Sequence, residues 1–200
     1  MFVLSWLAAA WQGLRYSAVR HTISDMYAVT APYGEFLVVM LTVCGAATTL
    51  FALTALRPAL GGGWRATTGT VLLALSIYGL GDLLSFFERE GCRLADPGCT
   101  SADQMSAGGA TDAVLSTVGL LCFVAAGFFI AAAMRRDPSW QRWVRPTRWV
   151  TIVIVVLLLA TGFIGVLGIE GLLERVLAAT GAAGIAALAV GVGRRSRQEV

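Results

Sequence analysis

Five apolar runs divide this chain: Phe36–Leu56, Ala66–Phe87, Asp112–Met134, Trp149–Ile169 and Leu172–Gly193. Each is about 20 residues long, the length a helix needs to cross a hydrocarbon core of about 30 Å. The polar segments between them are too short to fold as soluble domains. A sixth run, Phe2–Trp11, is apolar but too short to span, and it lacks the basic flank of a signal peptide. It reads as the end of a first helix whose beginning is missing, in preference to an interfacial segment with Trp6 and Trp11 at headgroup level. The pattern predicts an all-α polytopic transmembrane bundle forming a single domain over residues 1–200. It has five complete spans plus a short or truncated first helix at about 1–12.

Composition agrees. The chain is 57% hydrophobic and only 14% charged, with a mean hydropathy of +0.75, too apolar for an ordinary soluble domain. The net charge of +3 comes from arginine alone. The bias toward Ala, Gly, Val and Arg suggests a GC-rich bacterial genome, and hence the bacterial plasma membrane. Ten of the 15 basic residues fall in the loops Arg57–Arg65 and Arg135–Arg148 and in the tail at Arg194, Arg195 and Arg197. Basic residues favour the cytoplasmic side, so the C-terminus reads as cytoplasmic. Residues 13–34, the loop Glu88–Gly109 and the turn near Glu170 then face outward. Because the arginines explain topology, they imply no nucleic-acid partner. The carboxylates sort the other way: of the 12, only Asp137 and Glu199 lie on the arginine side. Trp140, Trp143 and Trp149 interleave with arginines, a pattern that favours interfacial anchoring over a specific anionic-lipid site.

The outward side carries the candidate chemistry. Cys92 and Cys99 flank the turn sequence Asp96-Pro97-Gly98, and an oxidising compartment would let that turn close a disulfide. His21 is the only histidine, too few ligands for a zinc site, and no cofactor motif is present. Cys44 and Cys122 read as packing residues.

Asp82 lies inside a span, beside Gly79 and Gly81 and about one turn and a half from the outer end of its helix. A carboxylate there must face the interior, pair, or hold its proton. The readings are an interhelical hydrogen bond, or ligand binding and proton transfer. His21, Thr22, Ser24 and Asp25 crowd one outer segment. If helical, His21 and Asp25 share a face, whereas Ser24 and Asp25 diverge and no oxyanion donors accompany them, which argues against a serine hydrolase. The segment is either a helix start capped by Thr22 or Ser24 or a lid over the bundle mouth. Glu170 and Glu174 share a helical face beside Arg175. They are solvated interface charges, or Glu174 or Arg175 turns into the mouth and pairs with Asp25, Asp82 or Arg20. Asp112 reads as a helix cap together with Thr111.

His21-Thr-Ile-Ser-Asp25, the acidic cysteine loop and Gly171-Leu-Leu-Glu-Arg175, in this order among the spans, resemble the bacterial membrane family known as domain of unknown function 998. The resemblance runs from about Tyr16 to Gly193. It implies a six-helix plan but no established reaction. Members carry a histidine near the start of the fourth helix, where this chain has Gly109-Ala-Thr-Asp112.

The functional expectation is an outward-facing acidic pocket for a membrane lipid or isoprenoid-like molecule, with Asp82, Asp25 and Glu174 as candidate acid–base residues. His21, Ser24, Tyr78, Glu170 and Arg175 are its candidate ligand contacts. Protonated Asp82 could act as a general acid, with Tyr78, Phe86 and Phe87 stabilising positive charge. The alternative is a non-enzymatic subunit that binds a partner membrane protein. A transporter is the less favoured reading, because the sequence shows neither an inverted repeat nor a broken helix.

Overall fold

The computed structural model describes residues 10–164 and 167–197. The first-helix reading of Phe2–Trp11 falls, but for its last two residues, outside them. Helix α1 runs Gly34–Ala59 and includes a π turn at Phe51–Leu56. It is followed by α2 (Trp64–Ala74), α3 (Ile77–Leu84), α4 (Gly109–Met134), α5 (Gln141–Ile164) and α6 (Glu170–Ser196). Four helices are long and apolar enough to cross a membrane, and α2 with α3 would supply a fifth span. The molecule is an all-helical bundle of the membrane type.

The apolar run Ala66–Phe87 is therefore not one helix, as its hydropathy predicts. It breaks after Leu75, and the two halves meet at a bend of 41°. Ser76 is extended there (φ −71°, ψ 172°). Its hydroxyl donates to the Leu73 carbonyl at 2.7 Å, and its carbonyl accepts the amides of Gly79 and Gly81 at 3.0 and 3.2 Å. A break in an apolar segment strands backbone polar groups, and Ser76 occupies several of them with local bonds. No proline marks the site, so hydropathy alone conceals it.

Half-helix α3 is clamped from two sides. A Cβ on Gly45 of α1 would stand 2.6 Å from the Gly79 carbonyl oxygen and 2.8 Å from the Asp82 carbonyl carbon. A Cβ on Gly119 of α4 would stand 2.6 Å from the Ile77 amide nitrogen. Both helices thus meet the α3 backbone directly, which only glycine permits.

The helices form a ring in which α1 packs on α3, α2 and α3 on α4, α4 on α5, and α5 on α6. Helix α6 approaches α1 chiefly at the π turn, so the ring closes at the arginine-rich end and stays open toward the other. The main core occupies the closed end, where Leu56, Leu73, Ile130, Met134 and Trp140 are buried together. Trp140 is 2% exposed, donates its indole N–H to the Ala59 carbonyl at 3.0 Å, and lies against Gly191. It is a core residue and not the interfacial anchor its neighbours suggest; Trp149, at 65% exposure, fits that role. Arg195 ties the same corner, donating to Asp137 at 2.5 Å and to Ala59 at 2.8 Å.

Replacing Gly45 or Gly119 by leucine forces the clamp open and is expected to cost about 1–3 kcal/mol, the usual penalty of overpacking. Gly193→Ala, inside α6 where a Cβ meets nothing within 4 Å, is expected not to lower stability. Thermal unfolding of the purified variants in detergent measures both.

Candidate functional site

A cap formed by residues 12–33 covers the open end of the ring. Its only regular element is a 3₁₀ turn, Ser24–Tyr27, so His21 and Asp25 do not share a helical face. Its hold on α6 centres on one side chain. Arg175 is 0% exposed and donates to the carbonyls of Ala18, His21 and Gly171 at 2.9, 2.8 and 2.9 Å, and to the Tyr16 hydroxyl. Beside it the Leu172 amide donates to the Val19 carbonyl at 3.0 Å, and Glu174 accepts the Ile23 amide at 2.8 Å. Guanidinium suits this place because its donors fan out in a plane and can serve several carbonyls at once. Burial pushes the Tyr16 hydroxyl up to about 12, against the lowering effect of Arg175. His21 accepts the Ser17 amide on Nδ1 at 2.9 Å, and Thr22 accepts the Asp25 amide at 3.3 Å. The 3₁₀ turn opens at Ile23 without a side-chain cap, so the expected helix start capped by Thr22 or Ser24 is not formed, and the segment lies over the open end of the ring.

The far side of the cap docks on the cysteine loop. Cys92 and Cys99 are bonded, with Cα atoms 6.1 Å apart. Inside this loop Arg93 pairs with Asp96 at 2.5 Å and donates to the Gln12 carbonyl at 2.9 Å. Thr30 donates to Asp96 at 2.7 Å. The Arg93 bonds, followed by the one from Thr30, hold the Asp96 carboxyl below the usual carboxylate range. Arg89 donates to the Tyr27 and Ala28 carbonyls at 2.9 and 3.1 Å. Asp25, fully buried, accepts the Leu94 amide at 2.9 Å, and burial raises its pKa. It is a strut between cap and loop.

Under the cap lies a cavity of about 590 Å³, walled by α1, α3, α4, α5 and α6 and roofed by Ile23, Ser24, Met26 and Tyr27. Its walls are mainly apolar, and three carboxyl side chains reach it: Asp82 from α3, Asp112 from α4 and Glu174 from α6. Tyr27 donates to Asp112 at 3.0 Å, and Ser116 lies 3.5 Å from the same oxygen. Tyr78 crosses to α6, where its hydroxyl donates to the Leu177 and Ala178 carbonyls at 3.3 and 3.2 Å. Cys44 also lines the space.

Of the sequence-predicted residues, Asp82, Glu174, Ser24 and Tyr78 meet at this cavity. Asp25, His21 and Arg175 do not line it: Asp25 Oδ1, His21 Nδ1 and the Arg175 guanidinium bond the cap and its neighbours. Glu170 is exposed at the start of α6, as a solvated interface charge would be. Asp112 corrects a reading in the other direction. Helix α4 begins at Gly109 with no side-chain cap, so Asp112 sits in its first turn, faces inward and receives Tyr27. The polar pair Asp112 and Ser116, four apart on one face of an apolar helix, was the available signal.

The family model described as protein of unknown function (DUF998) matches residues 1–191, which include the cap and every cavity-lining residue. The chain belongs to this family. No curated protein and no solved structure matches it.

In this DUF998 protein two more carboxyls, Glu88 and Glu90, lie buried between the cavity and the cysteine loop, at 4% and 6% exposure. Burial, then the negative charges of Asp112 and Asp82, push Glu88 up to about 8. Glu90 is raised to about 7, by burial first, although it accepts a bond from Gln104 at 3.0 Å. Neither stood out in sequence, because a loop carboxylate ordinarily faces water.

Glu88 titrates near 4.5 when unfolded and near 8 when folded, so the folded state retains its proton longer. Its stabilising contribution is complete below pH 4.5 and is lost as pH rises through 8. Melting temperature is therefore expected to fall from pH 5 to pH 9, and Glu88→Gln is expected to flatten that slope; melting curves across this range measure it. Arg175→Gln is expected to leave the helices folded while hydrogen exchange accelerates in residues 16–30 by about tenfold or more, as opening of a buried charge-assisted network implies. Unchanged exchange there would mean that the cap does not depend on Arg175.

Proposed function

We propose that this protein holds a lipid or isoprenoid-like molecule in the capped cavity, in a bacterial plasma membrane, with the acidic cap end facing outward. The observation that supports it is the cavity itself: about 590 Å³ among largely apolar walls, with a few convergent polar groups at one end. That is the make-up of a small-molecule site. The open side of the ring, between α1 and α6 above the π turn, gives an entry from the bilayer. In this reading Asp82 acts on the bound molecule as an acid or base, and its position on the cavity wall, on a half-helix clamped on both sides, supports it.

The broken pair α2–α3 also fits a transporter, in which interrupted helices frame a central substrate site. The sequence reading lacked this observation. Transport requires a second opening toward the arginine-rich end, where Leu56, Trp140 and Leu188 now close the core. Simple binding is therefore the reading the packing favours.

Native mass spectrometry with lipid extraction, on the wild type and on Ala182→Trp, tests the proposal. Ala182 lines the cavity, and a tryptophan there fills it. A co-purifying lipid that is present in the wild type and lost in a folded Ala182→Trp protein is the expected result. No retained lipid in either would contradict a binding site and favour a subunit that binds a partner protein.

A further inference from the structure

The cavity's charge is one-sided. Asp82, Asp112 and Glu174 reach it, while among the described residues no arginine, lysine or histidine lines it. Three cations packed around the cap are committed elsewhere, and the cap's own Arg15 and Arg20 are exposed. Arg175 faces the carbonyls of Ala18, His21 and Gly171. Arg89 is bonded to Tyr27 and Ala28, and Arg93 to Asp96 and Gln12. A phosphate head entering here would meet three carboxyls and no compensating side-chain charge among the described lining residues.

The three carboxyls are not equivalent. Glu174 accepts the Ile23 amide, and Asp112 accepts the Tyr27 hydroxyl. Asp82 is half-buried on the cavity wall and has no hydrogen-bond donor among the described residues. It is an unpaired acceptor facing the cavity. Buried polar groups are almost always paired, and an acceptor-only carboxylate in an apolar wall calls for a donor with charge. Aromatic rings stand around the same space: Trp11, Tyr27, Phe36, Phe51 and Tyr78. Such faces attract a cation and give an anion nothing.

The cavity is also long. Its α6 wall runs from Glu174 to Ala189, 15 residues (189 − 174), or about 22 Å at 1.5 Å per residue. The carboxyl of Glu174 is at one end, and the other end carries no charged residue among those described, Thr48 being its one polar side chain. This shape takes a chain with a head at one end and not a compact solute.

We infer that the occupant is a single-chain or isoprenoid amphiphile whose head is one ammonium group, without phosphate, seated between Asp82 and Asp112 with its chain along α6. The inference rests on the binding reading above and adds the head-group chemistry to it. The amine's N–H groups donate to Asp82, and its charge offsets the desolvation of the carboxylates. Tyr27, held by Asp112, supplies a ring face beside it.

Cys44 reports occupancy, because it lines the cavity while Cys122 does not. The experiment uses the full chain carrying Cys122→Ala, in phosphatidylcholine nanodiscs, and follows maleimide labelling of Cys44 with dodecylamine, dodecanol or dodecanoate added. Dodecylamine is expected to protect Cys44 at a concentration about tenfold lower than either other probe, the ratio one charge-assisted contact supplies. Asp82→Asn, and independently Asp112→Asn, are expected to remove most of that advantage and leave protection by dodecanol unchanged. Equal protection by all three probes in the parent protein would overturn the charge preference and leave the binding site standing. Undiminished preference for the amine in both folded variants would also overturn it. Protection by none of them, with labelling unaffected by Ala182→Trp, would overturn both the preference and the binding reading.

Discussion

A single buried guanidinium holds the functional end of this protein together. Arg175 is enclosed, and its guanidinium donates to three backbone carbonyls and to the Tyr16 hydroxyl. Burying a charge is costly unless its donors are met, so the arrangement is stable only with the cap in place. The same condition makes the cap's position definite. Once Ala18 and His21 are fixed on α6, Ile23 reaches Glu174 and Tyr27 reaches Asp112. Two of the three cavity carboxyls are thereby oriented by the cap that Arg175 secures. The disulfide loop completes the hold from the other side through Asp25 and Arg93.

The third carboxyl depends on backbone packing. Asp82 follows the break at Ser76, on a half-helix pressed against Gly45 and Gly119. A straight helix through Ala66–Phe87 would carry a different face of α3 toward the cavity. The break and the two close glycine contacts thus decide where the carboxylate of greatest chemical interest points. Apolar walls around it keep water scarce, which strengthens any electrostatic contact it makes.

The bundle was legible in the sequence because crossing a membrane sets helix length, and length is what an apolar run displays. Asp82 and Glu174 were legible for a related reason: a carboxylate inside or at the lip of such a run has few places to go. The disulfide followed from two cysteines around a turn. What hydropathy could not show was direction. Asp25 and Arg175 carry the residue types of a site, yet both are turned into the docking of the cap, and only long-range contacts reveal this. Asp112 was hidden by its position at a helix start, where capping is the ordinary use of aspartate. The break at Ser76 was hidden because serine and glycine do not interrupt an apolar average. Trp140 resembled an anchor until Gly191 and the Ala59 carbonyl gave it a place in the core.

These parts combine into one account: a helical ring closed at its arginine-rich end, propped open at the other, and lidded by a segment that also sets its acidic groups. The central claim is that the propped space is a binding cavity and not a packing defect. An experimental density map of the protein in a lipid nanodisc tests it most directly. The account predicts elongated density between α1 and α6, running along Ala178, Ala182 and Ala186 and ending at Asp82 and Asp112. A collapsed ring, with α1 packed on α6 along its length and no space beneath Tyr27, would contradict it.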